Sequence, residues 1–195
     1  MSDAALTEPR QPARSARRDV ERNYQRVLEA AREVFGEHGA EAAMEDIAAR
    51  AGVGVGTVYR RFASKDALID ELVRLSVETL TKAADEALEA PAGDGLEHYL
   101  RATGEELASH ASYAGLLLTR PADPDARARL RRAVEELTER AIAAGTVHPS
   151  VTAADVTALI WAMRGLVQAT PDLPAGSWRR YLAIHLAGLR APVTA

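Results

Sequence analysis

The sequence predicts an all-α protein in which a small N-terminal three-helix domain precedes a larger helical bundle. Apolar residues recur at helical spacing in almost every segment between glycine and proline breaks, and no segment alternates apolar with polar residues as a strand does. The chain of 195 residues is long enough for a small module joined to a larger one. We expect about nine helices. The expected segments are a flexible tail at 1–20, a first domain at 21–66 and a second at 67–195.

Three helices are predicted in the first domain. Residues 23–38 carry apolar side chains at helical spacing, and Gly39 follows as a stop. Shorter patterns cover 44–51 and 55–62, and glycines separate them. Two short helices joined by about three residues, with glycine at the turn, are typical of a helix-turn-helix. Its expected apolar seam against the first helix consists of Ile47, Val53, Val58 and Phe62.

The second domain begins within a long fourth helix, predicted over 64–88. Ser64 is a good N-cap, and Asp66 lies in the first turn, where the helix dipole favours negative charge. Four proline- and glycine-rich stretches then divide the chain: PAGDG, RPADPD, GTVHPS and TPDLPAGS. The segments between and after them predict helices at 95–119, 124–144, 152–169 and 177–190.

Composition excludes several classes of site. The chain has no cysteine, so it has no disulfide, thiolate metal site or cysteine nucleophile. It has neither an apolar run near the roughly 18 residues of a membrane span nor the apolar core of a signal peptide, and we expect a cytoplasmic protein. Residues 1–65 hold 11 Lys and Arg against 10 Asp and Glu, a net charge of +1, whereas the remainder holds 13 against 18, a net charge of −5. The N-terminal part therefore tolerates phosphate better.

The stretch AGVGVGTVYRRF, residues 51–62, permits two interpretations: a phosphate-binding loop of a cofactor site, or a turn that leads into a DNA-reading helix. A dinucleotide fingerprint requires a preceding strand and a small third residue. Here the preceding MEDIAARA is helical, and Thr57 occupies the third position. The pattern G-x-x-x-x-G-K-[ST] is also absent. The context favours the helix-turn-helix.

The run AMEDIAARAGVGVGTVYRRFASKDALIDEL, preceded by VLEAAREVFGEHG, resembles the DNA-binding domain of the TetR family of transcriptional regulators. The usual pattern of that family is D-I-A-x-x-A-G-V-S-x-G-T-x-Y-x-H-F-x-S-K-x-x-L. The resemblance covers roughly residues 23–72, and the turn glycines, the T-x-Y and the S-K cap all occur in register. Beyond residue 72, only the helical plan and WRRYLAIHLAGLRA resemble the family, whose C-terminal half varies.

Carried over by position, the resemblance implies a DNA-binding set of Val55, Gly56, Thr57, Tyr59, Arg60, Arg61 and Lys65. The first three begin the recognition helix, and Gly56 lets the backbone approach DNA. Thr57 and Arg60 face base edges, where an arginine can bond guanine through two hydrogen bonds. Tyr59, Arg61 and Lys65 reach phosphates.

Two departures from the family pattern remove hydroxyl groups. Ala42 and Ala43 stand where the family has a Thr or Ser cap, and Gly54 stands where it has a turn Ser. Phosphate contacts fix register rather than sequence preference, so we expect weaker general affinity for DNA. Four arginines of the tail are either a minor-groove arm or a solvated segment: Arg10, Arg14, Arg17 and Arg18.

The second domain has candidates for an effector cavity, although ordinary core packing is the alternative for each apolar one. They are Tyr99, Leu100, Thr103, Leu107, Tyr113, Leu117, Trp161 and Arg164. Arg164 is a charged residue within an apolar helix. Its partner is either an acidic group of a ligand or a carboxylate of the chain. His98 and His110 are not at metal-ligand spacing, and no H-E-x-x-H or G-x-S-x-G occurs. We therefore expect no metal, no cofactor and no catalytic site.

The last two helices carry apolar stripes that predict an interface: Val156, Leu159, Ile160, Met163, Trp178, Tyr181, Leu182, His185 and Leu189. In the TetR family the corresponding helices form a four-helix bundle in a homodimer. The resemblance thus implies a homodimeric, ligand-responsive repressor that binds a palindromic operator in double-stranded DNA, with an unknown small-molecule effector. The alternatives are an activator of the same fold and a helical small-molecule binding protein or enzyme without a DNA function.

Overall fold

A computed structural model describes residues 12–113, 120, 123–169, 174 and 176–191. Within these residues the chain forms eight α-helices, a 3-10 turn at Gly39–Glu41 and no strand, so the prediction of an all-α fold is confirmed. No helix of this part is long and apolar enough to cross a membrane. The helices are α1 (Pro12–His38), α2 (Met44–Ala51), α3 (Val55–Arg61), α4 (Lys65–Glu89), α5 (Gly95–Ser109), α6 (Pro124–Ala143), α7 (Ala153–Ala169) and α8 (Ser177–Gly188).

Two helix ends differ from the prediction. Helix α1 begins at Pro12 and not at 23, so it includes residues 12–20 of the expected tail, while 1–11 lie outside the described residues. Alanine and arginine favour helix even without an apolar period. Helix α5 ends at Ser109 and not at 119, and His110, with φ −111° and ψ 6°, is its C-cap.

The chain divides into two compact units, Met1–Leu68 and Ile69–Ala195, and the boundary falls inside α4. In the first unit α2 packs on α1, and α3 packs on α2. Three members of the expected seam, Ile47, Val58 and Phe62, are buried as predicted, whereas Val53 is only half-buried. The core of this unit also includes Val27, Leu28, Ala31, Val34, Phe35, Ala48 and Leu68.

The turn between α2 and α3 depends on Gly52. Its φ of 62° lies in the left-handed region. The residue ends α2, and its N–H donates to the carbonyl of Ala49 at 3.1 Å. The next N–H, of Val53, reaches back to the carbonyl of Ala48 at 3.1 Å. This pair of bonds is a Schellman motif, which satisfies carbonyls that the helix end leaves free. It sets the direction in which α3 leaves the turn.

Substitution of Gly52 by alanine is expected to lower the free energy of unfolding by about 1–2 kcal/mol, the cost of a left-handed residue with a side chain. The new Cβ would lie 2.5 Å from Nη2 of Arg26, but that flexible end can move aside. Urea unfolding followed by circular dichroism measures the change. Gly54→Ala is the matched control: its φ is −66°, nothing lies near its Cβ position, and the exchange of a glycine N-cap for alanine should cost less, at most about 1 kcal/mol. Equal effects of the two substitutions would contradict the role of Gly52.

Helix α4 begins at the predicted cap, since the N–H of Ala67 donates to the Ser64 hydroxyl at 3.1 Å. In the second unit α5 packs against α6, α7 and α8, and the last two also pack on each other. Trp178 is 4% exposed, and its ring covers Gly104 of α5, where a Cβ would lie 2.2 Å from the ring. The start of α8 is therefore joined to α5 by a contact that requires glycine.

Candidate nucleic-acid interface and effector cavity

Helix α3 directs one face into the core and the opposite face outward. Val58 and Phe62 are buried, which leaves Tyr59 45% exposed and both Arg60 and Arg61 exposed. At the start of the helix Gly56 is exposed, with open space where a Cβ would stand. This outer face, called the reading face below, comprises Val55, Gly56, Thr57, Tyr59, Arg60 and Arg61, of which Thr57 is half-buried.

Contacts within the first unit hold the two arginines of the reading face in place. Nη2 of Arg60 donates to the Thr57 hydroxyl at 3.0 Å, one helical turn back. The guanidinium of Arg61 lies over the Tyr24 ring at 4.8 Å and over the Phe62 ring at 5.7 Å. Within the described residues neither arginine forms an ion pair with a carboxylate. Both cations are therefore oriented by neutral groups and keep their charge for a partner.

Lys65, which the sequence predicts as a phosphate contact, also has a structural role within the fold. Its Nζ donates to the carbonyl of Ala40 at 2.5 Å and to that of Ala42 at 3.2 Å. The ammonium thereby joins the start of α4 to the turn between α1 and α2. It has three N–H groups, so one remains for another acceptor.

The two helices of the helix-turn-helix begin without side-chain caps. Ala43 is the N-cap of α2 and Gly54 that of α3, and neither position has a side-chain hydrogen bond. The hydroxyl groups that the TetR family pattern has at these two positions are therefore absent from both N-caps. Peptide N–H groups at such ends need other acceptors.

Arg50 joins α2 to α1. Its guanidinium donates to both carboxylate oxygens of Glu37, at 2.7 and 3.0 Å, and to Glu33 at 2.8 Å. The hydrogen bond from Arg50 lowers the pKa of the Glu37 carboxyl below its usual value, and the two glutamates raise the pKa of Arg50. Sequence reasoning missed this clamp, because the spacing of residues on separate helices gives no signal for it.

The tail arginines do not form an extended arm in the described part of the chain. Arg14, Arg17 and Arg18 belong to α1, and Arg18 is exposed. Arg10 lies outside the described residues. A minor-groove arm is an extended segment, so a helix at these three positions does not fit that alternative.

The second unit has a partly open cavity of about 540 Å³, called the effector cavity below. Helices α4, α5, α6 and α7 all contribute to its wall, and its volume lies within the range of about 300–1,000 Å³ for small-molecule sites. The lining residues are Val73, Ser76, Val77, Leu80, Tyr99, Thr103, Glu106, Leu107, His110, Arg120, Arg127, Leu130, Arg131, Val134, Thr157, Ile160, Trp161 and Arg164.

Polar groups in this cavity have unmet hydrogen-bonding capacity. The hydroxyl of Thr103 and Nε of Arg164 are buried without a hydrogen-bond partner. Burial lowers the pKa of Arg164, whose guanidinium lies over the Trp161 ring at 5.4 Å. Burial also raises the pKa of Tyr99; the Thr103 hydroxyl is near enough to offset part of that shift without forming a hydrogen bond of normal geometry.

Five of the eight expected cavity residues line the effector cavity: Tyr99, Thr103, Leu107, Trp161 and Arg164. Leu100 is wrong as a cavity residue, because it is fully buried in the core, and Leu117 lies outside the described residues. Tyr113 is also buried, with its hydroxyl 2.7 Å from Nδ1 of His110. The prediction missed the contributions of α4 and α6, since it took α4 only as a connection between the domains.

The expected interface set contains core residues. The prediction is wrong for five residues that are buried within the single chain and offer no surface to a second copy: Val156, Leu159, Met163, Trp178 and Leu182. Ile160, Tyr181, His185 and Leu189 are half-buried. The large apolar side chains that α7 and α8 do expose are Trp161 and Ile184, each 59% exposed.

Within the described residues, no group of three or more histidines and carboxylates is arranged to hold a metal ion. The geometry offers two features: an exposed helix on a helix-turn-helix, and a cavity in a separate helical unit. They define the class of a DNA-binding transcriptional regulator with a ligand-binding C-terminal domain.

Comparison with known proteins identifies the family within this class. Residues 27–72 match the family model "Bacterial regulatory proteins, tetR family", and residues 90–191 match the model "Transcriptional regulator SbtR-like, C-terminal domain". The crystal structure of a TetR regulatory protein from Mycobacterium vanbaalenii is 31% identical and covers 90% of this chain and 99% of its own, with a TM-score of 0.65. The chain belongs to the TetR family of transcriptional regulators.

Two further relatives agree with this assignment. A TetR regulator from Streptomyces coelicolor is 30% identical over 87% of this chain and 99% of its own, with a TM-score of 0.63. The HTH-type transcriptional regulator YhgD of Bacillus subtilis (strain 168) is 39% identical over 64 residues, which are 32% of this chain and 34% of that relative.

Proposed function

We propose that the protein is a homodimeric repressor that binds an inverted-repeat operator through α3 and releases it when a small molecule enters the effector cavity. The carrying observation is the reading face, where Arg60 and Arg61 are exposed, oriented and without a carboxylate partner in the described part of the chain. Arginine is well suited to guanine edges and to phosphates. As a regulator of bacterial operators, it acts in the cytoplasm.

Within this proposal, the reading face divides its work between base recognition and positioning. Arg60 and Thr57 contact base edges, and their mutual hydrogen bond at 3.0 Å limits the conformations of the arginine before DNA arrives. Tyr59 and Arg61 contact phosphates. Lys65 holds the turn before α2 through two carbonyls, and its remaining N–H contacts a DNA phosphate. Missing caps at Ala43 and Gly54 leave more of the phosphate contact to these cations.

Substitution of Gly56 by alanine tests the approach of α3 to DNA. The fold should lose no stability and gain up to about 1 kcal/mol, because nothing lies near the new Cβ and alanine favours helix over glycine. Affinity for DNA should fall, since the methyl group stands where the duplex approaches. Thermal unfolding and a mobility-shift titration measure the two effects. Ala143→Ser, an equally small change at an exposed site of α6, is the control; unchanged DNA affinity of Gly56→Ala would contradict the proposed docking.

The dimer of this proposal is formed by α7 and α8. Their outer faces expose Trp161 and Ile184 among small residues such as Ala158, Gly165 and Ala187, which permit close approach of helices. A dimer also matches the symmetry of an inverted repeat, since each copy reads one half-site.

The Ile184→Arg variant is expected to weaken the dimer about tenfold or more, because it places a charge at the centre of an apolar contact. Val20→Arg is the matched control, since Val20 is the other strongly exposed large aliphatic residue in the described chain, at 69%, and lies on α1. Analytical ultracentrifugation over a concentration series measures both. The proposed interface is wrong if Ile184→Arg stays as dimeric as Val20→Arg.

Ligand control requires that the effector favour one arrangement of the second unit over another. Helix α4 provides a covalent route, because it lines the cavity with Val73, Val77 and Leu80 and begins at Lys65.

Activation of transcription would use the same residues. A promoter reporter with and without the protein distinguishes the two: repression predicts higher expression in its absence.

A further inference from the structure

We propose that the effector is an amphipathic organic anion, whose carboxylate pairs with Arg164 and whose apolar body lies against α4 and α6. This inference rests on the proposed function only in treating the cavity as an effector site. It concerns the chemical class of the ligand, which family membership does not determine.

Arg164 is a half-buried cation on a largely apolar helix. Within the described residues no carboxylate lies within ion-pair distance of it, and its Nε lacks a hydrogen-bond partner. Other arginines of the cavity wall are engaged or solvated: Arg120 donates to both oxygens of Asp70, and Arg131 approaches Glu135. A half-buried cation without a counterion is partly desolvated, and an anionic ligand offsets that cost.

The Thr103 hydroxyl is an independent observation of the same kind. Thr103 is 2% exposed, lines the cavity and has no hydrogen-bond partner for its Oγ1. The guanidinium N–H can only donate, and the hydroxyl can donate as well, so one acceptor group on a ligand can satisfy both. A carboxylate has two such oxygens and a negative charge, whereas an ammonium group has neither.

Charge in the cavity wall favours an anion. Four arginines and one glutamate line it, and that glutamate, Glu106, lies 2.7 Å from Nε2 of His110. Besides polar side chains such as Ser76 and Thr157, the remaining wall is largely apolar and fits a hydrocarbon body: Val73, Val77, Leu80, Leu107, Leu130, Val134 and Ile160. A second depression, of about 520 Å³ against α4, is lined by acidic and basic side chains together and lacks this division into a cationic and an apolar part.

Three probes with the same hydrocarbon chain and different head groups test the inference: octanoate, octanol and octylamine. Isothermal titration calorimetry with the full chain, without DNA, gives each affinity. Octanoate should bind at least about tenfold more tightly than octanol, as expected for a charge-assisted hydrogen bond, and octylamine most weakly. Equal binding of acid and alcohol, tighter binding of the amine, or no binding by any probe at millimolar concentration would overturn the inference.

Two variants locate the acid group. Arg164→Gln should remove the preference for octanoate over octanol, whereas Arg127→Gln, at an exposed arginine of the same wall, should keep it within about twofold. A preference that survives in Arg164→Gln overturns the assignment of the carboxylate to that residue. If Arg164→Gln does not fold, as judged by circular dichroism, Thr103→Val serves instead and should weaken octanoate more than octanol.

The same samples separate this inference from the proposed function. If octanoate binds as predicted but DNA complexes persist at saturating octanoate, the ligand class stands and the proposed release from the operator fails. If the protein binds no duplex at low salt, the repressor proposal fails, while the calorimetric comparison still tests the ligand class.

Discussion

Substitution of Arg60 by alanine is expected to abolish preference for the operator while general DNA binding persists. Arg60 is exposed on α3, and its Nη2 donates to the Thr57 hydroxyl at 3.0 Å. Loss of a bidentate arginine–guanine pair costs about 1–3 kcal/mol of discrimination in each half-site. Competition of operator against scrambled duplex in a mobility-shift assay measures it.

Arg61→Ala is the informative comparison, since the two residues are adjacent and equal in charge. The guanidinium of Arg61 lies over the Tyr24 and Phe62 rings, and we propose that it contacts phosphate. The Arg61→Ala variant should bind operator and scrambled duplex more weakly to the same extent, with a smaller salt dependence. If Arg60→Ala behaves in the same way and keeps operator preference, the base-reading role of Arg60 is wrong.

Substitution of Trp178 by alanine is expected to lower the free energy of unfolding by about 3–5 kcal/mol, the largest effect on stability that we predict. The ring is buried against Gly104, which has no side chain to fill the space that the ring leaves. Arg179 adds to this contact, since it stacks on the ring at 4.7 Å and donates to Glu105 at 2.6 Å. Urea unfolding at fixed protein concentration, followed by circular dichroism, measures the loss.

Trp161→Ala is the matched control, because these are the only two tryptophans of the sequence. Trp161 is 59% exposed, and its described contact is the cation–π pair with Arg164. Within a single chain its removal should cost no more than about 1 kcal/mol, so both tryptophan substitutions are compared in the Ile184→Arg background, which removes the proposed dimer contact. Similar losses for both substitutions would mean that Trp178 is not the anchor between α8 and α5.

The sequence predicts α2, α3 and the cap of α4 well, because their signals are local. Glycines at 52 and 54 bound the turn, Ser64 caps α4, and the apolar spacing selects the buried face of α3. The start of α1 and the end of α5 have no comparable signal. An arginine- and alanine-rich segment is helical without an apolar period, and apolar residues at helical spacing continue in the sequence past Ser109, where α5 ends.

Residues whose role depends on another helix escape sequence reasoning. Arg50 bonds Glu33 and Glu37 across two helices, and Lys65 bonds carbonyls that precede it by more than 20 positions. The apolar stripes of α7 and α8 were predicted as an interface, yet residues such as Trp178 and Met163 pack within their own chain. Periodicity reveals that a face is buried but not what buries it.

Selection of bound duplexes from random DNA by the purified protein tests the central claim, that two copies of α3 read one operator. The account predicts inverted repeats whose half-site centres lie about one helical turn, or a whole multiple of it, apart. Binding to the selected sites should also weaken steeply as salt rises. No enrichment at low salt, or enrichment of single sites without two-fold symmetry, would contradict it.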